Sequence, residues 1–474
     1  MSEELNLYTG KLNYKDIDFS FAFDQNELRL IPPDDKRHTV EWEWTMKPLG
    51  NGKYVFADPM QVGVEWLEGE CNETKSKIVF LPKQGSYVGI HNSIVRIELR
   101  GYILCKYERD TIDKISFTCP EINYIHPVNH AFSYSFNDES FAENGIVTLT
   151  TQDFDATTTE RQKFVVDGKE ASAYFGISRT ISTKIHEPPL SVESSLIFEF
   201  EATNDYSFIL RLWRIATDFI RFLCYRSNIF IKEVDLAAPY KDGKHEHFAT
   251  MYLLGTTKEF EAEVLKKGRY IKQAYIAGQE GKILSDIASD NLYLRHLPET
   301  YKSGRHIDAA RFVMITAAFE WEFHRSYPNG VQKSEATITA ENAISEEIQQ
   351  QIENTTGKKK SIYKFLKRRV KSDSLQSEII QVGKDYSEII DIFGNRLYHL
   401  NDQELKYSEM GQRLSDQRNH FAHGDLDKDF IGLSLLDLIY LEYVVYAMQL
   451  KNYGVDNLKI QKAINELFHC SIAI

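Results

Sequence analysis

The chain is poor in cysteine, and the cysteine it has forms no pattern. Cys71, Cys105, Cys119, Cys224 and Cys470 are scattered over 474 residues, odd in number and without a C-x-x-C pair. That excludes a disulfide scaffold and a cysteine zinc site, and it points to a reduced compartment. The first residues, MSEELNLYTG, carry neither a basic n-region nor an apolar h-region, so no secretory leader is expected. Basic residues are not in excess: 56 Lys and Arg stand against 69 Asp and Glu, a net charge of −13. This argues against a general nucleic-acid coat but leaves room for a local basic patch. There is no internal repeat, no low-complexity linker and no H-E-x-x-H cluster. The expectation is a cytoplasmic protein without cofactor, metal or membrane partner.

One long apolar run is present, from Phe430 to Leu450, and it imitates a membrane span in length. Asp437 and Glu442 sit near its middle, where an acid costs about 2.5–3.5 kcal/mol on insertion scales. A helix buried in the protein, or shared between two subunits, is the better expectation.

An α+β fold is expected in two parts. Residues 1–289 read as a β-rich domain, a sandwich or curved barrel-like sheet with an appended helix. Ile17, Phe19, Phe21 and Phe23 alternate with polar or small residues, as do Val40, Trp42, Trp44 and Met46, and Val95, Ile97 and Leu99. A period of two marks strands with one buried face. Pro32-Pro33-Asp34, Gly50-Asn51-Gly52 and Pro82-Lys83-Gln84-Gly85 separate the runs as turns. Asn204-Asp205 is placed to cap a helix whose stripe is Ile209, Leu212, Ala216, Phe219 and Leu223. Residues 290–474 read as a bundle of four or five helices. His306 to Arg325 is apolar nearly all round. Ile379, Val382, Tyr386, Ile389, Phe393 and Leu400 form a second stripe, and Met410, Leu414, Arg418 and Phe421 a third.

The third stripe leads into Arg418-Asn419-His420-Phe421-Ala422-His423. Arginine grips phosphate through a planar fork of donors, and histidine moves protons near neutral pH. An Arg-x-x-x-x-His match alone arises by accident roughly once in two chains of this size, so the adjoining Asn and the position at a helix junction carry the weight. An arginine in an apolar stripe needs a carboxylate or a polar site beside it. Five residues turn an ideal helix by about 140°, so Arg418 and His423 meet only if the helix ends or distorts near Gly424.

Arg-Asn-x-x-x-His at the head of the last long helix of a C-terminal bundle resembles the HEPN superfamily of ribonucleases. The β-rich front half followed by this bundle is similar in layout to the ApeA type of anti-phage defence protein. The motif falls on Arg418, Asn419 and His423, with His420 in a variable position. The resemblance implies a metal-independent endoribonuclease and an abortive-infection toxin, in which the 2′-hydroxyl of RNA attacks its own adjacent phosphate. His423 would be the general base or acid, Arg418 would hold the phosphate, and Asn419 would position one of them. It also implies a homodimer or higher homo-oligomer with two motifs facing one cleft. The RNA (tRNA, rRNA or mRNA) and a phage-derived trigger are left open.

Other residues compete for attention. Lys358 to Lys371 holds eight basic residues and no acid, with Tyr363 and Phe365 interleaved. Lys364, Lys367, Arg368, Arg369 and Lys371 read either as a phosphate-tracking strip or as a solvated helix face. Glu320 and His324 share a helix face; Glu320 can pair with Arg418 or locally with Arg325. Asp416, His420 and His423 fall at i, i+4 and i+7 and could gather a metal on one helix face, the rival chemistry of a metal-dependent phosphohydrolase, but that reading leaves Arg418 unexplained. Asp425, Asp427 and Asp429 start like a calcium loop, yet Phe430 and Leu436 stand where Gly and Glu are required. A third class remains: a dimerising RNA-binding or adaptor module whose motif serves only structure.

Overall fold

The protein is described from a computed structural model that covers residues 7–135, 145, 148–186, 188–255, 265–370, 372–422 and 429–474. The chain divides into two compact units. One comprises Met1–Leu223, Asn228–Phe260 and Glu280–Asn291; the other comprises Cys224–Ser227, Glu261–Gln279 and Leu292–Ile474. The chain thus crosses between them more often than a single division at 289/290 would allow.

The first unit is built on one antiparallel sheet of 13 strands. Strands β1 (Tyr8–Tyr14), β2 (Ile17–Phe23) and β3 (Glu27–Ile31) form a meander. After the small hairpin β4 (Met46–Gly50) and β5 (Lys53–Phe56) come β6 (Leu67–Cys71), β7 (Lys77–Pro82), the short β8 (Gly89–His91) and the long β9 (Ile94–Cys105). Strand β9 pairs with β3 through Val95–Glu98 and with β7 through Leu99–Leu104. That double pairing closes β9-β3-β2-β1-β6-β7 into a six-stranded barrel, in which Gly101–Cys105 of β9 keeps one side for β17. Phe19, Phe21 and Phe23 all point inward, and Phe80 meets Phe21 and Phe23 edge-on at 5.1 and 5.3 Å. Gly10 is required here: a Cβ on it would lie 1.9 Å from the Glu70 carbonyl and 2.6 Å from the Phe21 ring.

The far edge of β9 continues the sheet. Of the remaining strands, β10 (Ile112–Phe117), β13 (Gln162–Val166), β14 (Lys169–Ile181), β15 (Leu190–Thr203), β16 (Glu233–Pro239) and β17 (His245–Leu253) follow in the order β9-β17-β16-β10-β15-β14-β13, while β11 (Phe132–Ser135) and β12 (Thr148–Thr151) form a separate pair. Helix α1 (Tyr206–Cys224) is capped by Asp205, whose Oδ1 accepts the N–H groups of Ser207 and Phe208 at 3.0 and 3.1 Å. Ile209, Leu212, Ala216, Phe219 and Leu223 are fully buried. Phe219 lies over Phe175 of β14, and the Trp213 indole donates to the Ile231 carbonyl at 2.9 Å. A short helix, α2 (Glu280–Ala288), completes the unit.

One expected strand is absent. Thr39–Glu43 is a single helical turn, so Val40 is buried while Trp42 is 46% exposed. Pattern alone could not separate the two states over so short a stretch.

The second unit is helical and larger than four or five helices. Among the described residues it contains eight helices of more than ten residues: α3 (Ala309–Ser326), α4 (Glu335–Glu353), α5 (Gly357–Val370), α6 (Leu375–Asp385), α7 (Ser387–His399), α8 (Tyr407–Ala422), α9 (Ser434–Asn452) and α10 (Asn457–Leu467). The stripe from Ile379 to Leu400 spans two of them, α6 and α7, broken at Tyr386; Leu400 lies beyond α7 and is 69% exposed. Helix α3 is less uniformly buried than its sequence implies, since Met314 and Trp321 face outward.

Helix α9 is the buried centre. No helix among the described residues is long and apolar enough to cross a membrane. Both acids of α9 are met by arginines. Asp437, wholly buried, receives Arg413 through Nε at 2.7 Å and Nη2 at 2.8 Å, and the Tyr398 hydroxyl donates to it as well. Glu442 receives Arg311 at 2.6 Å and the Tyr225 hydroxyl. The apolar run therefore carries two compensated charges rather than two liabilities.

Candidate functional site

Helix α8 brings the Arg-Asn motif to its place. Its buried face is Met410, Leu414, Gln417 and Phe421, at i, i+4, i+7 and i+11. This corrects the expected stripe. At 3.6 residues per turn, the second core position after Met410 is 417, and Arg418 is rotated onto the shoulder with 37% of its side chain exposed. Arg418 is thus a rim residue rather than a core one.

Its Nη1 donates to Glu320 Oε1 on α3, an ion pair whose acid is 24% exposed. Arg325, the other partner considered for Glu320, turns instead to Glu322 at 3.8 Å and to the Tyr453 hydroxyl at 3.3 Å. His324 is exposed and lies edge-on to Phe323.

A third charged group joins this pair. Glu378, on the first turns of α6, is 4% exposed, and its Oε2 is buried without a hydrogen-bond partner among the described residues. Burial, then the charges of Glu320 and Asp373, push its carboxyl up to about 7, with Arg418 pulling the other way. Arg418 is thus paired with Glu320 and feels the charge of Glu378, whose carboxyl titrates near neutrality. Groups tuned this way by neighbours suit proton transfer beside a bound anion. Sequence reasoning missed Glu378 because nothing in its local pattern separates it from any helical glutamate.

Of the remaining motif residues, Asn419 is exposed and His420 half-buried. His423, Gly424, Asp425 and Asp427 lie outside the described residues, as does Lys371. Described groups hold the chain on both sides of residues 423–428. Phe421 and Phe430 lie 5.7 Å apart, and each meets Phe312 of α3, at 5.3 and 6.0 Å. The buried Gln417 Oε1 accepts the Ile431 N–H at 2.7 Å and the Ser434 hydroxyl at 3.1 Å. Gln417 was also missed; its signal was present in the i, i+4, i+7 spacing from Met410.

The basic strip forms α5, which buries no residue. Lys364, Arg368 and Arg369 are exposed, and Lys367 is half-buried and donates to Gln349 Oε1 of α4 at 2.7 Å. Arg369 stacks on Phe365 at 5.6 Å. Ile362, Phe365 and Leu366 are also exposed, so cations and apolar groups stand together on this surface. No group of three or more His, Cys, Asp or Glu able to hold a metal occurs among the described residues.

Comparison with protein-family models, with curated proteins and with solved structures gives no significant match.

Proposed function

We propose that the protein is a metal-independent endoribonuclease of HEPN type, acting as an anti-phage, abortive-infection toxin of the ApeA kind. The observation that supports this best is Arg418: a half-exposed guanidinium on a helix shoulder, compensated by Glu320 rather than sealed in the core. A guanidinium has five donors, so pairing through Nη1 leaves others for a phosphate. In the proposed reaction His423 takes the proton from the ribose 2′-hydroxyl, the 2′-oxygen bonds to phosphorus, and the 5′-oxygen leaves with a proton supplied by a general acid. Arg418 stabilises the charge that builds on the phosphoryl oxygens. Asn419, exposed beside it, orients the phosphate or His423, and His420 supports the pair. The products are a 2′,3′-cyclic phosphate and a free 5′-hydroxyl. DNA, lacking the 2′-hydroxyl, is spared. Two chains contribute one motif each to a composite cleft, with α5 tracking the RNA backbone through Lys364, Lys367, Arg368 and Arg369.

The test is RNA integrity and host growth with wild type, Arg418→Ala and His423→Ala, each variant checked for folding and oligomeric state. Loss of cleavage in both, with cleavage by wild type persisting in chelator, supports the proposal. Undiminished cleavage by folded His423→Ala sinks it and leaves the adaptor reading, in which Arg418 and Glu320 serve only to join α8 to α3. Cleavage abolished by chelator revives the metal-dependent alternative.

A further inference from the structure

The helical unit contains a second built feature that the Arg-Asn motif does not use. A cavity of about 300 Å³ is walled by the rings of Tyr225, Tyr301, Tyr443 and Phe468 and by two cations, Arg269 and Arg305. That volume is at the lower end of the range of small-ligand pockets, about 300–1,000 Å³. Both cations lie on one ring. The Arg269 guanidinium carbon is 4.1 Å from the centre of Tyr301 and that of Arg305 is 4.9 Å away, while Arg305 Nη2 donates to the Tyr301 hydroxyl at 2.9 Å. The other lining rings pack on one another: Tyr443 and Phe468 tilted at 4.6 Å, Tyr225 and Phe468 edge-on at 4.9 Å.

The charge here is unbalanced. Neither Arg269 nor Arg305 makes an ion pair with a carboxylate of the described residues, and Arg269 Nε is buried without an acceptor. Burial and the neighbouring Arg305 both disfavour the Arg269 cation. Glu442 also lines the cavity, but Arg311 at 2.6 Å and the Tyr225 hydroxyl already engage it. Elsewhere in the same unit, the arginines that serve structure, Arg413 and Arg311, each have an acid in contact. Two adjacent guanidiniums that lack one are completed by an anion with several oxygens, and phosphate suits their donor geometry. The aromatic wall suits a planar ring, and the limited volume suits a single nucleotide rather than a strand.

We infer that this cavity binds a mononucleotide, with its phosphate on Arg269 and Arg305 and its base against Tyr443 and Phe468. The site stands apart from the proposed nuclease reaction, and its test is binding rather than cleavage. Full-length protein is titrated calorimetrically with AMP, UMP, adenosine and inorganic phosphate. The expected result is saturable binding of AMP or UMP, one per chain, tighter than about 1 mM. Adenosine and phosphate alone bind at least about tenfold more weakly, and raising salt weakens the nucleotide. Arg305→Gln, at an exposed position, keeps the fold by circular dichroism and loosens the nucleotide about tenfold or more. Arg269→Gln has the same effect if it folds. Three results overturn the inference: no saturable binding of either nucleotide, adenosine binding as tightly as AMP, or unchanged affinity in folded Arg305→Gln.

Discussion

Two charged clusters in the helical unit use the same residue types in opposite ways. Around Asp437 the acid is wholly buried and Arg413 grips it with two bonds, while Tyr398 supplies a third donor. Arg413 also reaches the exposed Glu409 at 3.6 Å, and the cluster joins α7, α8 and α9. Around Arg418 the arithmetic is different. The half-exposed Arg418 guanidinium pairs with Glu320 and feels the charge of the buried Glu378, one of whose carboxyl oxygens has no donor among the described residues. A cluster centred on a wholly buried acid with every oxygen engaged is what a fold needs. The cluster that keeps a buried carboxyl oxygen without a donor among the described residues, beside a half-exposed guanidinium, holds polar capacity that the fold itself does not consume. Such surplus, more than the presence of charge, marks the place where a ligand or a proton is to be expected.

The comparison can be broken from either side. The largest effect is expected at the buried Asp437. Arg413→Met leaves Asp437 buried with one donor lost from each oxygen, and should reduce unfolding free energy by about 3–5 kcal/mol in urea titrations. A loss below about 1 kcal/mol would show that Asp437 is not held as an ion pair.

Next comes Glu378. Its folded carboxyl titrates near 7 against an ordinary value of 4.5, so between these values the folded state keeps a proton that the unfolded state has lost. Its contribution is fully present below about pH 4.5 and disappears as pH rises through 7. Glu378→Gln should therefore raise stability by on the order of 1–3 kcal/mol at pH 8 and leave it nearly unchanged at pH 4. A parallel displacement of the whole stability-versus-pH curve would contradict the assignment.

The open pair is worth less to the fold. Arg418→Ala or Glu320→Gln should cost about 1 kcal/mol or less in thermal unfolding, because both side chains reach solvent. On the proposed function, Arg418→Ala nevertheless lowers RNA cleavage by about two orders of magnitude or more. The smallest effect on stability is expected on α5. Replacing Lys367, Arg368 and Arg369 by Gln should change stability by less than about 0.5 kcal/mol, yet lower the slope of log affinity against log salt for single-stranded RNA by up to about 2. An unchanged slope removes α5 from the RNA path.

Much of this was legible from residue order. Alternation located β2 and β9, Asp205 announced α1, and the apolar run at 430–450 announced a buried helix. What stayed hidden was long-range. No local pattern says that β9 serves β3, β7 and β17 at once, so a curved sheet could be expected but a closed barrel could not. Thr39–Glu43 alternates like a strand and folds as a turn of helix because five residues hold too little pattern to choose. Spacings of four drift against 3.6 residues per turn, so the core position falls to Gln417 and Arg418 lies on the shoulder. The partners of Asp437 and Glu442 come from helices distant in sequence, as does the acid beside Arg418. Spacing can identify a need for a partner, but only the fold supplies the partner's number.

The role of β9 has a consequence for synthesis. Barrel closure needs residues 94–105 beside residues 8–31, and the outer sheet needs β17, more than a hundred residues later. As the chain leaves the ribosome, the barrel can shut early, but β9 keeps an unpaired edge until residue 253 has emerged. Exposed edges of this kind recruit other strands. A pause or truncation between residues 105 and 245 should therefore yield a product that aggregates, and Arg418 is translated only after that hazard has passed.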